Sequence, residues 1–345
     1  MAPFPTPPPS QASLGISGQV HVAARDRLVG ITSSSWCLCE ELAGSFGPLT
    51  ATSGSRPWDS VSSPRLPPDR WAGGRGGLSR GVEVPYINLN GMAIHYGLGA
   101  PLTPARGGTV VFVHGAGGTQ EQWRFQLPHL GSRWNTLAMD LPGHGESQGN
   151  GCRTIEEYRD FVRDMLDALG ITGTILVGHS MGGGIVQEFA LAYPGRLRAL
   201  VLVGTGARLR VHPDLLASVR RGDVEQAGRL ISRWAYSGTA LAATVAQAAE
   251  ALARNRASIL EGDFLACDAF DVMEQIAAIQ LPTLVLCGED DRLTPIKYAR
   301  FLQQRMPRAT LATIPGAGHM VMLEKPREFN RMLMAFLDEC LGSSV

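Results

Sequence analysis

The sequence predicts an α/β protein, a parallel sheet wrapped by helices on both faces, with a serine set at a strand-to-helix turn. Three observations lead there. From residue 109 onward, apolar runs of strand length alternate with patterns of helical period. Glycine-rich bends follow several of those runs, at the ends where open α/β sheets place their ligands. Finally, Gly178-His179-Ser180-Met181-Gly182 puts glycine two places before and two places after a serine. It stands between a buried run, Thr174 to Val177, and a helical pattern in which Ile185, Val186 and Phe189 share a face. That arrangement is a nucleophile elbow, whose strained turn lifts the hydroxyl clear of the sheet and excludes side chains at the flanking positions. The Met181 amide, in the first helical turn, is then free to hold a developing oxyanion.

Composition bounds the rest. The chain has 345 residues, enough for one large domain or two ordinary ones. Lys+Arg and Asp+Glu both total 31, so nothing favours nucleic acid or an anionic membrane as partner. The six cysteines, at 37, 39, 152, 267, 287 and 340, show no metal-ligand spacing, and no metal site is expected. Cys287 lies inside an apolar run and reads as a small core residue. No run of about 18 apolar residues occurs, so no transmembrane helix is expected, and a cytoplasmic location is the default.

Residues 1–81 differ from all that follows. They are rich in Pro, Gly, Ser and Arg, contain no lysine and show no sustained period. Such a segment buries too little apolar surface to offset chain entropy, so a disordered or non-native N-terminal extension is expected. An organellar transit peptide and a start codon placed too far upstream both fit, and the second is favoured. The domain then spans residues 82–341. It opens with Val84 to Leu89, Asn90-Gly91 and Met92 to Tyr96, a hairpin signal. Thr109 to Val113 is a strand covered on both faces, running into His114-Gly115-Ala116-Gly117-Gly118. Ala116 N–H is the candidate second oxyanion donor, while His114 reads as a prop for the loop. A phosphate loop is disfavoured, because no Gly-Lys-Ser/Thr follows.

Asn135 to Met139 is the next strand, ending in Asp140-Leu141-Pro142-Gly143-His144-Gly145-Glu146-Ser147. Thr154 caps a helix striped by Tyr158, Phe161, Val162, Met165 and Leu166, and Gly170 stops it. The elbow helix ends near Tyr193, and Leu200 to Val203 is a further buried strand. Residues from about 205 to 280 break the rhythm with helical patterns and no convincing strand, an inserted lid. Its Trp234, Tyr236, Phe264, Phe270 and Met273 read mostly as lid core, with one or two facing an acyl pocket. The pocket candidates are His179, Trp234, Phe264, Phe270 and Met320. Asp268 and Asp271 read as solvated lid carboxylates in preference to substrate contacts. Strands at Thr283 to Cys287 and Thr310 to Ile314, a helix from Tyr298 to Met306, and a last helix from Pro326 complete the pattern.

Ser180, Asp291 and His319 thus fall in loops after parallel strands. A serine hydroxyl needs a base, a neutral imidazole supplies one, and a carboxylate on the far ring nitrogen fixes the tautomer. With His-Gly-Ala-Gly-Gly at 114–118, Asp-Leu-Pro-Gly-His-Gly-Glu-Ser at 140–147, Gly-His-Ser-Met-Gly at 178–182, Gly-Glu-Asp-Asp at 288–291 with Pro295, and Gly-Ala-Gly-His at 316–319, the chain resembles the α/β-hydrolase superfamily. The resemblance is to its lidded branch of esterases, lactonases, C–C-bond hydrolases and cofactor-free haloperoxidases, over roughly residues 82 to 341. It implies an eight-stranded, mostly parallel sheet flanked by helices, with Ser180 as nucleophile and His319 as base. It also implies an acid after the strand at 283–287. The spacing from Gly288 and to Pro295 selects Asp291 over Asp290. A serine nucleophile separates the chain from the aspartate-using dehalogenases and epoxide hydrolases of this fold.

The expected activity is hydrolysis of small or medium carboxylic esters through an acyl-enzyme, with no cofactor. A lactonase, a C–C hydrolase of aromatic breakdown and a non-catalytic binding protein are the alternatives. The expected partner is a small ester or lactone substrate.

Overall fold

A computed structural model describes residues 85–104 and 106–341 of the chain. The extension expected at 1–81, with Cys37, Cys39 and Val84, lies outside the described residues. In chain order the elements are β1 (Tyr86–Leu89), β2 (Met92–Leu98), β3 (Thr109–Val113), a 3₁₀ turn (Gln120–Trp123), α1 (Leu127–Leu130), β4 (Asn135–Met139), α2 (Ile155–Ala168), β5 (Thr174–His179), α3 (Met181–Ala192) and β6 (Leu197–Val203). The lid helices follow, α4 (Pro213–Arg220), α5 (Val224–Ala235), α6 (Ala242–Ala253) and α7 (Ala257–Ala269). The sheet then resumes with β7 (Thr283–Gly288), α8 (Ile296–Arg305), β8 (Ala309–Ile314), α9 (Val321–Glu324) and α10 (Pro326–Leu341).

The strands form one sheet of 8 in the order β1-β2-β4-β3-β5-β6-β7-β8. Only β2 runs against the others, pairing antiparallel with β1 and β4. The Asn90-Gly91 turn makes that hairpin, both residues having positive φ. From β4 to β8 every pairing is parallel. Successive strand residues point to opposite faces, so each apolar run supplies two cores. Val111, Val113, Leu176, Leu200, Leu202 and Val285 meet α2, α3 and α8 on one face. Val110, Phe112, Ile175, Val177, Val201 and Leu286 meet Trp123, α1 and α10 on the other.

Local chemistry sets the ends of the elements. Thr154 and Glu157 make a reciprocal capping box at the start of α2. Gly170, at φ +64°, closes its far end beside the chain entering β5. The lid expected from several helical patterns holds four helices, with α5 packed against α4 and α6, and α7 against α4. The expected helix from Tyr298 begins two residues earlier, directly after Pro295. No described helix is long and apolar enough to cross a membrane.

Candidate active site

Ser180 sits at the tip of β5, with φ 54° and ψ −117°, in a conformation that a residue with a side chain reaches only under constraint. Among the described residues, the only other non-glycine with positive φ is Asn90. The constraint is visible in the neighbouring glycines. A Cβ on Gly178 would lie 2.2 Å from the Gly182 carbonyl oxygen, and one on Gly182 would lie 2.4 Å from that of Val113. A Cβ on Gly183 would strike Thr205 at 2.5 Å. Ser180 is further held by its N–H to the Val203 carbonyl (2.9 Å), and its own carbonyl accepts from the Thr205 hydroxyl (2.8 Å).

His319 lies in the loop after β8, with Nδ1 2.8 Å from Asp291 Oδ2 in the loop after β7. Both side chains are buried, the histidine at 4% and the aspartate at 0% exposure. The carboxylate is fully engaged elsewhere. Its Oδ1 accepts from Leu293 and Thr294 N–H, both at 2.9 Å, and its Oδ2 also accepts from the Thr294 hydroxyl (2.8 Å). Burial works to raise the Asp291 pKa, but the His319 ring and the Thr294 bonds outweigh it and hold the carboxyl below its ordinary value. Asp290 is exposed, and its amide serves only to brace Ala317.

The His319 loop meets the serine loop through His179 and Gly204. The rings of His179 and His319 lie 4.6 Å apart, and His179 Nε2 bonds the His319 carbonyl at 3.1 Å. A Cβ on Gly204 would come within 3.2 Å of His319 Nδ1, so that glycine makes room for the imidazole beside the carbonyl-bonded end of Ser180. His179 is buried, and burial, then the neighbouring His319, push its pKa well down, keeping it neutral. Its bond to a carbonyl requires the proton on Nε2.

The loop after β3 carries the second group of amides. Gly115 N–H is directed to Gln122 Oε1, Gly117 N–H to Asp263 Oδ2 and Gly118 N–H to the Gly115 carbonyl. Among the described residues, the Ala116 N–H between them has no acceptor. Its direction is set through the other end of the same peptide plane. The Gly115 carbonyl accepts from His114 Nδ1 (2.8 Å) as well as from Gly118. His114 Nε2 accepts in turn from Leu141 N–H at 3.0 Å. Burial, then the neighbouring His144, lower the His114 pKa to about 4, so it stays neutral and keeps both bonds. The Met181 N–H, at the first position of α3, is orphaned by helix geometry.

The pocket candidates separate by position. His179 forms the floor under the His319 ring. Phe264 is buried in the lid core with Leu215, Val219 and Leu260. Phe270 is buried on the sheet side of the lid, its ring against Gly184 of α3. Trp234 and Met320 are half-buried, Trp234 with its ring 5.3 Å from His212. Asp268 and Asp271 tie the lid to its own base. Asp268 accepts from Val211 N–H, and Asp271 pairs with Arg208 at 2.6 Å. Residue-by-residue reading passed over Asp263. It is fully buried on α7, a helix with no clear apolar stripe, so nothing in the sequence around it marks it out.

A sequence model of the family described as alpha/beta hydrolase fold matches residues 108–326. The chain is 31% identical, over 248 residues, to a Pseudomonas putida protein named the dihydrolipoyllysine-residue acetyltransferase component of an acetoin cleaving system. That match takes in 67% of this chain and 64% of the relative, so the chain spans less than two thirds of that protein's length. A Comamonas testosteroni protein named 2-hydroxy-6-oxo-6-phenylhexa-2,4-dienoate hydrolase is 27% identical over 76% of this chain and 97% of its own. Among solved structures, one described as a thermophilic esterase is 34% identical, with a TM-score of 0.65 over 75% of this chain and 98% of its own.

Proposed function

The chain belongs to the α/β-hydrolase fold family, and from that premise we propose that it is a serine hydrolase of small or medium carboxylic esters. The observation that carries this reading is the buried His319–Asp291 pair at 2.8 Å, in a loop bonded through His179 to the loop of a serine held at φ 54°. In the proposed reaction His319 takes the Ser180 proton as Oγ attacks the ester carbonyl carbon. Asp291 keeps Nδ1 protonated and steadies the imidazolium that forms. The amides of Met181 and Ala116 receive the oxyanion, each such donor contributing about 10²–10³ in rate. Collapse expels the alcohol, protonated by His319, and leaves an acyl-serine. A water deprotonated by the same imidazole attacks that ester, releases the acid and restores the hydroxyl. Every proton is handled by His319, so the scheme calls for no metal or cofactor.

A second reading, C–C-bond or lactone hydrolysis with the same three side chains, is favoured by the Comamonas relative, which aligns over nearly its whole length. A third, a non-catalytic binding protein, shares the geometry. The decisive experiment combines a fluorophosphonate probe, a short p-nitrophenyl ester, an enol-lactone and a ring-cleavage dienoate. Labelling and ester turnover are expected in the parent protein, and Ser180→Ala should lose both, turnover by roughly 10³-fold or more. Turnover of the dienoate alone selects the C–C reading, and a protein that takes neither probe nor substrate is a binder.

A further inference from the structure

Gly115 to Gly118 form a β-turn closed by the Gly118 N–H to Gly115 carbonyl bond at 2.9 Å, with Gly117 at φ +63° in its third position. Both polar groups of Gly117 are taken by side chains of the lid. Its N–H donates to Asp263 Oδ2 at 2.8 Å, and its carbonyl accepts from Asn255 Nδ2 at 2.9 Å. A third lid residue, Leu260, lies where a Gly117 Cβ would be, at 2.6 Å. The turn therefore cannot take another backbone shape without breaking two contacts to the lid. Its closing bond ends on the same carbonyl that orients the Ala116 amide.

Asp263 is itself immobile. Tyr158 hydroxyl donates to its Oδ1 at 2.5 Å, and His144 Nε2 lies 2.8 Å from its Oδ2. His144 also donates through Nδ1 to the Pro142 carbonyl (3.1 Å), so both ring nitrogens carry protons and the pair is ionic. Burial would lower the His144 pKa, but the Asp263 carboxylate more than reverses it and the pKa is raised. A carboxylate buried at 0% exposure on a lid helix is costly unless each of its oxygens is bonded, and here a backbone amide of the catalytic loop completes the set.

We propose that Asn255 and Asp263 are positioning residues through which the lid fixes the Ala116 amide, making the lid a working part of the oxyanion hole as well as a cover. This rests on the reading of Ala116 as an oxyanion donor. Neither residue touches the substrate. Their effect passes through the Gly117 peptide and the turn that it closes, and a small misdirection of an oxyanion donor is enough to slow acyl transfer.

The test is Asn255→Leu and Asp263→Asn in the full chain, measured by kcat and KM on a p-nitrophenyl ester and by inhibition with a trifluoromethyl ketone. Asn255 is half-buried at the surface of the lid, so its variant keeps the experiment informative if Asp263→Asn fails to fold. The expected result for Asn255→Leu is a kcat lowered about tenfold, KM within about twofold, and ketone affinity falling in step with kcat/KM. An unchanged kcat in folded Asn255→Leu overturns the proposal. So does a loss carried by KM with ketone affinity intact, the mark of a merely structural residue. Fluorophosphonate labelling and ester turnover of the parent, run alongside, separate a failure of the esterase reading from a failure of this one.

Discussion

At the scale of single residues, the two adjacent carboxylates after β7 make the sharpest contrast. Asp291 is buried, bonded to His319 and Thr294 and held ionised, whereas Asp290 is exposed. Asp291→Asn keeps the shape but offers Nδ1 of His319 an amide that favours the wrong tautomer. Its kcat is expected to fall by about 10⁴, while Asp290→Asn stays within about twofold of the parent. Steady-state kinetics on one ester decides it, and equal losses in the two variants would break the assignment. Spacing to Gly288 and Pro295 picked out Asp291 in the sequence, and it is Asp291 that bonds His319. Spacing was not enough to find Asp263, because a residue whose partners are an amide at 117, a histidine at 144 and a tyrosine at 158 has no local signature. Its role exists only once three distant segments are folded together.

At the scale of elements, the legible ones were those whose signals are local. Asn90-Gly91 gave the hairpin, the Gly178 to Gly182 spacing gave the elbow, and Thr154 gave the start of α2. The short helical turns at Gln120–Trp123 and Leu127–Leu130 left no usable period, since 4 residues complete barely one turn. The lid was legible as helical but not as four helices, because its faces are set by packing on one another. The capping box allows a clean test of one local signal. Thr154→Ala removes the acceptor for Glu157 N–H and should lower stability by about 1 kcal/mol, read as a shift in the urea midpoint with an unchanged slope. A variant as stable as the parent would mean that tertiary packing alone holds that end of α2.

For the molecule as a whole, three buried imidazoles tie stability to pH, and their signs differ. His114 titrates near 4 and His179 well below its ordinary value of 6.5, so the native state refuses protons that the unfolded chain accepts. Their stabilisation is complete above pH 6.5 and drains away as pH falls toward 4, with His114 alone contributing about 3 kcal/mol to the loss. His144 runs the other way, since its raised pKa makes its contribution full at low pH and fading only as pH rises through that value. Asp291, held low, adds a further loss below its ordinary 3.8. Two imidazoles against one leave acid as the destabilising direction, and the cost falls on the loop after β3 that His114 braces and on the His179 contact with the His319 loop. Urea denaturation at pH 7, 6, 5 and 4.5 should therefore show a progressive fall in unfolding free energy. His114→Asn should be less stable at pH 7 but show a shallower slope across that range. A flat profile in the parent would mean that these rings are hydrated and titrate normally, and the neutral His114 that orients the Ala116 amide would lose its basis.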